Sequence, residues 1–385
     1  MRTRPRPYPP GISVVIPTEG RTELTAGLLR DLRAARESFA LPSEVLVVDS
    51  SHDAEREVIL RAAAETGARY LSGPLGVRRK RNLGVSEARY SVILFLDSDC
   101  RPAPDLLTRH SRSYETGSGP SPGGVLGRTL FDGPQTPAWH LVQSSSLVAH
   151  FSRASRSPSA PWGPTANISF RREVLDEVGL FDTGFPFKLG GDDLDLSYRV
   201  VKAGYRLACD PEAVVYHTRS TWSTLGSVLR RALRWGRMEY YLYRKHPSAR
   251  FPAPPNFWGW ALSVWALFGL QGVLAQTLDF AAWGLLWIPL ALILYSAFEA
   301  ADGTAGTRLR GFWTSLGAAV PELTYQSGAS FEFARHGDPR FLWSRAWFDP
   351  DAPRTNWPSE ARNYWSNLIS LLVVQLLAFA TYGRG

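Results

Sequence analysis

The stretch Val92-Ile93-Leu94-Phe95-Leu96-Asp97-Ser98-Asp99 decides how this chain is read. Five apolar residues run straight into two carboxylates. Apolar runs of that length, bounded by polar residues, form buried strands of a parallel sheet. In open α/β sheets ligands bind outside the carboxyl ends of the strands. Carboxylates spaced i and i+2 there can share a hard cation and sugar oxygens. Mg²⁺ and Mn²⁺ take such oxygen ligands, and a nucleotide diphosphate can complete the shell. The same tripeptide also serves as a solvated turn, so its neighbours have to decide.

Upstream of that strand, the spacing predicts strands at 12–17, 45–48 and 69–71. Helices are expected at 22–38, 53–66 and 76–87. Strands alternating with helices of this length are the signature of parallel βαβ units. Residues 1–10 read as a disordered lead. Residues 117–124 and 155–164 are Gly/Ser/Pro-rich loops flanking a less regular middle.

The chain has 385 residues and a net charge of +8. A basic chain suits nucleic acid or an anionic membrane. No zinc-finger spacing or RNA-binding aromatic signature is present, so nucleic acid is set aside as a partner. Cys100 and Cys209 make no disulfide framework and no metal motif, and two thiols fit a reducing cytoplasm. No signal-peptide apolar stretch follows Met1.

Beyond residue 250 the composition changes. Residues 257–275 and 281–298 are uncharged and apolar, each about long enough to cross a ~30 Å hydrocarbon core. With tryptophans near their ends they are expected to form a transmembrane hairpin over 257–298 rather than a pair of buried core helices. Residues 363–383 make a third membrane segment, spanning or partly interfacial. Seven Arg and Lys lie between Arg230 and Arg250 and seven Arg in 301–362, while the tight loop 276–280 has none. Both ends of the hairpin are therefore expected on the cytoplasmic side, with 301–361 a cytoplasmic segment.

Four further features fit the paired aspartates. Asp49 ends the second strand, where a carboxylate can accept hydrogen bonds from a base or ribose. Gly76-Val77-Arg78-Arg79-Lys80-Arg81-Asn82-Leu83-Gly84 sets a helix N-terminus and four cations before the Asp97 strand, suiting a pyrophosphate. A solvated basic face is expected to account for at least two of those cations. Gly190-Gly191-Asp192-Asp193-Leu194-Asp195 places three carboxylates at a helix start, more than the helix dipole alone calls for, which suggests a positioned base. His217 ends the run Ala213-Val214-Val215-Tyr216, and a histidine there can join carboxylates around Mn²⁺ or be structural.

In this order the pieces resemble the inverting family 2 glycosyltransferases. They are Val14-Val15-Ile16-Pro17-Thr18, Val47-Val48-Asp49-Ser50-Ser51, Arg81-Asn82-Leu83-Gly84, Phe95-Leu96-Asp97-Ser98-Asp99, Asn167-Ile168-Ser169-Phe170-Arg171, Gly179-Leu180-Phe181-Asp182 and the Gly190 motif. The resemblance covers about residues 11–246. It implies a GT-A-like (Rossmann-like) mixed-sheet α/β catalytic domain over 11–220, followed by C-terminal transmembrane helices. It implies a nucleotide diphosphate sugar as donor and Mg²⁺ or Mn²⁺ as cofactor. Thr18, Glu19 and Asp49 would line the nucleotide pocket, Arg81 would stand near the diphosphate and Asp97 would hold ribose or sugar. Asp99 and His217 would hold the metal. Asp193 would be the catalytic base, with Asp192 the runner-up. The chain departs from the family pattern at Asp-Ser-Ser, usually Asp-Asp-Gly-Ser, and at Asp192-Asp193, where Glu-Asp is commoner.

Arg231-Ala232-Leu233-Arg234-Trp235 resembles the Q/R-x-x-R-W motif of processive family members. In that reading Trp235 would flank an acceptor and Arg234 a diphosphate, with Arg231 part of the same acceptor or diphosphate set. The same stretch, within 221–250, also reads as an amphipathic helix on an anionic bilayer. Tyr243-Arg244-Lys245-His246-Pro247 is similar to bacterial membrane-attached glycosyltransferases, the mycofactocin type among them. The whole implies sugar transfer to a lipid-linked or envelope glycan at the bacterial inner membrane, with the catalytic domain cytoplasmic. A processive polysaccharide synthase or a mycofactocin-type enzyme is the alternative within the class. A nucleotidyltransferase would need a Gly-x-Gly-Thr-Arg loop after the first strand, and Pro17-Thr18-Glu19-Gly20-Arg21 is not one. A silent membrane scaffold would have no use for Asp97, Asp99, Asp193 and His217 together.

Overall fold

The computed structural model describes residues 8–115, 121–186, 190–253, 255–276, 279–300, 305–346, 348 and 357–382. The chain divides into two compact units. One comprises Met1–Gln135 and Val148–Thr221, the other Thr136–Leu147 and Trp222–Gly385.

The first unit opens with β1 (Ile12–Thr18), α1 (Thr22–Glu37), β2 (Ser43–Asp49), α2 (Asp53–Thr66), β3 (Arg69–Ser72), α3 (Val77–Glu87) and β4 (Val92–Leu96). The alternation expected from the sequence is present, with ends shifted by at most two residues. Then follow β5 (Cys100–Pro102), α4 (Leu106–Arg112), β6 (Gly124–Asp132), α5 (Pro137–Ser144, which groups with the second unit), β7 (Asn167–Arg171), α6 (Arg172–Val178), α7 (Asp192–Lys202) and β8 (Leu207–Thr218). The middle between the two loops, expected to be less regular, thus supplies one full strand, β6, and β7 follows the second loop.

The eight strands form one sheet in the order β3-β2-β1-β4-β7-β6-β8-β5. The pairs among β1, β2, β3 and β4 are parallel, whereas β7 runs antiparallel to β4 and β6. This is the mixed sheet of the GT-A-like class. Side chains alternate between faces along a strand. Val14 and Ile16 therefore enter one buried cluster with Leu28 and Leu32, while Val15 enters the other with Phe95 and Phe170. With both faces covered, the strands read as continuous apolar runs. Gly84 is glycine because α3 crosses β1 closely: a Cβ there would overlap the Val15 side chain.

Residues 8–10, expected to be disordered, are tied down. Tyr8 donates to Asp176 at 2.7 Å and its ring lies under Arg172, while the Pro9 carbonyl accepts from the Ser91 N–H. Residues 1–7 lie outside the described residues.

The second unit contains α8 (Leu225–Lys245), α9 (Phe257–Ala275), α10 (Asp279–Ala300), α11 (Ala305–Arg335) and α12 (Trp357–Tyr382). The stretch expected to be an interfacial amphipathic helix is α8, and its buried face is covered by α11 instead of standing alone. The two helices meet at backbone contact: a Cβ on Gly236 would overlap the Tyr325 carbonyl, and one on Gly328 the Leu233 carbonyl. α9, α10 and α12 share a core of Val264, Phe268, Trp287 and Val374. Trp287 Nε1 donates to the Asn367 carbonyl of α12 at 3.2 Å. Among the described residues one helix, Phe257–Ala275, is long and apolar enough to cross a membrane. Ala282–Ala297 and Trp365–Thr381 are shorter apolar helices. Of the expected hairpin, residues 277 and 278 at its turn lie outside the described residues, as does residue 383 of the third segment.

Candidate active site

Parallel pairing sets the ends of β1, β2 and β4 on one edge of the sheet. Thr18 stands opposite Asp49 in register, and Val15 opposite Phe95, two residues before Asp97. The N-terminus of α7 completes the crevice, because Arg81 reaches it. Arg81 is buried, and its guanidinium bonds Asp192 Oδ2 at 2.6 Å and Asp97 Oδ1 at 2.9 Å. Arg78 stands 3.7 Å from the other Asp192 oxygen and donates to the Gly190 carbonyl at 2.9 Å. Lys80 donates to the Thr18 carbonyl at 2.5 Å and stands 3.4 Å from Glu19. The expected solvated basic face is therefore corrected: Arg78, Lys80 and Arg81 are buried, and of the four cations only Arg79 is exposed. Their partners lie at the N-terminal end of α7 and at the ends of β1 and β4. Asn82, next along, clamps Phe181 with two bonds, Nδ2 to its carbonyl at 2.8 Å and Oδ1 from its N–H at 3.0 Å.

The two candidate bases have different surroundings. Asp192 is buried, with both oxygens toward guanidinium groups. Asp193 is half-buried and accepts the N–H of Leu194 at 2.9 Å. Burial, with the charge of Asp192 beside it, pushes the Asp193 carboxyl up to about 7, against the pull of Arg81 and the Leu194 N–H. A carboxylate poised near neutral is suited to taking a proton, and a doubly ion-paired one is not.

Asp99 lies one residue before β5, whose Cys100 pairs in register with His217 on β8. The structure thereby brings together the two expected metal ligands, Asp99 Oδ1 standing 3.5 Å from His217 Nε2. His217 Nδ1 donates to the Thr218 carbonyl at 3.0 Å, so in the neutral ring the Nε2 lone pair faces Asp99. Phe131 and Phe151 pack against the imidazole and hold its orientation. Donor atoms of Asp99, Cys100 and His217 all lie within 4.8 Å of one another. A carboxylate oxygen and an imidazole nitrogen suit Mn²⁺ or Mg²⁺, so the residues fit such an ion.

At the end of β2, Asp49 Oδ1 accepts from Ser51 N at 2.9 Å and Ser51 Oγ at 2.6 Å, and Oδ2 accepts from the Tyr70 hydroxyl at 3.0 Å. Burial and Asp49 push that hydroxyl up to about 12, so it stays a donor.

A family description, "Glycosyl transferase family group 2", matches residues 92–298, just over half of the chain. The chain belongs to that family. It is 27% identical over 265 residues to a pre-mycofactocin glycosyltransferase of Mycobacterium tuberculosis, covering 67% of this chain and 53% of that protein. The chain thus spans about half the length of that relative. It is 28% identical over 311 residues to a validoxylamine A glucosyltransferase of Streptomyces hygroscopicus, covering 71% and 68%. A solved mannosyltransferase from Pyrobaculum calidifontis, in complex with GDP-Man and Mn²⁺, aligns over 82% of this chain and 88% of its own. Its TM-score is 0.48 and its identity 22%.

For this group 2 family member, sequence reasoning missed three neighbours of the expected site. Arg21 stands 2.8 Å from Asp99 Oδ2, Tyr70 caps Asp49, and Arg78 backs Asp192. Arg21 follows the Thr18-Glu19-Gly20 turn directly, the one local hint. In the second unit Arg231 lies 3.8 Å over the Trp222 ring, and Trp235 packs edge-on against the same ring at 5.7 Å, while Arg234 is exposed.

Proposed function

We propose that this protein is an inverting glycosyltransferase that moves a sugar from a nucleotide diphosphate sugar to a hydroxyl acceptor, a lipid-linked or cell-envelope glycan, at a bacterial inner membrane. The observation that carries the reading is the arrangement at the N-terminus of α7. Arg81 holds Asp192 and Asp97 in place, which leaves Asp193 as the half-buried carboxylate poised near neutral. Asp193 takes the acceptor's proton as its oxygen attacks the anomeric carbon, and the nucleotide diphosphate leaves from the opposite face. Thr18, Glu19 and Asp49 line the nucleotide end, and Asp97 orients ribose or sugar. Asp99 and His217 would hold Mg²⁺ or Mn²⁺. When bound, such an ion supplies Lewis-acid stabilisation of the leaving diphosphate.

Membrane attachment is supported by the surface of the C-terminal helices. Val273 and Leu274 of α9 and Leu376 of α12 are each at least 70% exposed, which water disfavours and lipid does not. A reporter at residue 278 should read as external and one at residue 330 as cytoplasmic, and the reverse would deny the site its cytoplasmic donor. The stack of Arg231 on Trp222 favours a second reading, repeated transfer with Arg231, Arg234 and Trp235 engaging a glycan or lipid diphosphate, and product length separates the two. The decisive experiment is a donor screen scored by nucleotide diphosphate release, with and without Mn²⁺. No release from any donor, with a range of lipid and glycan acceptors, sinks the proposal.

A further inference from the structure

The Asp99 site contains a cation of its own. Asp99 is buried, and one of its oxygens stands 3.5 Å from His217 Nε2. A buried carboxylate requires a paired cation or a metal beside it. Arg21 supplies the cation, with its Nη1 2.8 Å from Asp99 Oδ2.

Arg21 is built to leave. Its backbone is anchored: the Arg21 carbonyl accepts the Thr25 N–H in the first turn of α1, and the preceding Gly20, at φ +67°, donates its N–H to Ser51 Oγ at 2.8 Å. Its side chain is 39% exposed, against 3% for Asp99, so it can change rotamer without disturbing the core. A divalent ion on Asp99 would repel a guanidinium held on the same carboxylate. The guanidinium fork matches phosphate oxygens as well as it matches a carboxylate.

We propose that Arg21 is the exchangeable counter-ion of Asp99: it leaves the carboxylate when the divalent cation arrives and passes to the diphosphate of the donor. This rests on the reading of the crevice as a nucleotide-sugar site. The metal alone has to displace Arg21, and the nucleotide diphosphate then gives Arg21 a new partner. Metal and nucleotide consequently raise each other's affinity by the same factor.

The test measures Mn²⁺ binding to the full chain in detergent, by the electron paramagnetic resonance signal of free Mn²⁺, alone and with UDP or GDP. The wild type should bind Mn²⁺ more tightly when a nucleotide diphosphate is present. Arg21→Gln should bind Mn²⁺ alone more tightly, by up to about fivefold, the equilibrium equivalent of a partly exposed ion pair. It should also lose much of the gain from the nucleotide. Arg21→Lys keeps the charge without the fork, so it should match the wild type with Mn²⁺ alone and recover only part of the coupling. If Arg21→Gln binds Mn²⁺ no more tightly than the wild type, Arg21 does not compete for Asp99 and the proposal falls. Tighter Mn²⁺ binding with unchanged coupling overturns it too, because the guanidinium then does not reach the diphosphate. If neither nucleotide binds the wild type, the glycosyltransferase reading fails together with the exchange. Nucleotide binding with no effect of Arg21→Gln sinks the exchange alone.

Discussion

The two units of this chain handle burial in opposite ways. In the sheet unit, charge goes inside: Arg78, Lys80, Arg81, Asp192 and Asp195 are all buried, and each meets an opposite charge or a carbonyl. In the helical unit, apolar groups go outside: Leu262, Trp265, Leu270 and Leu377 are about half exposed or more. On the membrane-attached reading proposed above, lipid is the solvent that suits the second set. The lesson is that a buried charge set and an exposed apolar set are both departures from the ordinary soluble plan, and each marks a place where the protein meets something else.

The largest effect is expected at the one carboxylate of the acidic pair that Arg81 does not hold. Asp193→Asn should lower the turnover rate by ~10²–10⁴-fold with little change in donor affinity. Equal loss in Asp192→Asn would erase the distinction between the two. Wild-type activity should rise as pH climbs through about 7, where Asp193 loses its proton. Stability runs the other way. The folded value lies above the unfolded carboxylate value of about 4, so the native state holds its proton longer and loses ground as pH rises between the two. Asp193→Asn escapes that loss, and its melting temperature should pull ahead of the wild type across that window and stay ahead above it.

Breaking the paired charges directly comes next. Arg81→Met leaves Asp192 buried beside Arg78 alone and should cost about 3–5 kcal/mol of stability in denaturant unfolding. Adding Asp192→Asn should recover part of it, and no recovery would mean that Arg81 matters chiefly through packing.

Within the sheet unit, β2 and β4 were legible because Val45–Val48 and Val92–Leu96 are unbroken apolar runs, and β1 and β3 because they fall in step with the helices around them. β6 and β7 were not: β6 starts at Gly124 and holds Gly127, and β7 alternates apolar Ile168 and Phe170 with Asn167 and Ser169. Asn167 and Ser169 are inside because they bond the buried His110 at 2.9 Å each, a long-range fact that no local pattern carries. Burial also keeps that histidine neutral, with its ionisation pulled down to about 4. Of the site's pairings, Asp99 with His217 was readable, and Arg81 with Asp192 was not. Arg81 and Asp192 are separated by 111 positions, so the basic helix looked like a solvated face until α7 was set against it.

On the helical side, Gly236→Ala should cost ~1–3 kcal/mol, since the new methyl meets the carbonyl of α11, which cannot swing aside. Gly226→Ala, at a position with room, should be close to neutral in the same thermal melt of detergent-solubilised protein. If both behave alike, the helices are not in backbone contact. Smallest of all, Tyr70→Phe removes one hydrogen bond to Asp49 and should cost about 0.5–1.5 kcal/mol. A larger loss would make Tyr70 part of the paired interior and not its rim.

The glycine contact between α8 and α11 also bears on the order of synthesis. The partner of α8 lies beyond α9 and α10 in the chain. A ribosome makes α8 first, then the two apolar helices, and only then the helix that closes over Gly236. During that interval the face of α8 that α11 covers is open. Docking of α11 is therefore the step that covers α8, with α12 still to follow, and a chain stopped after α10 should present α8 to proteases although its sheet domain has already folded.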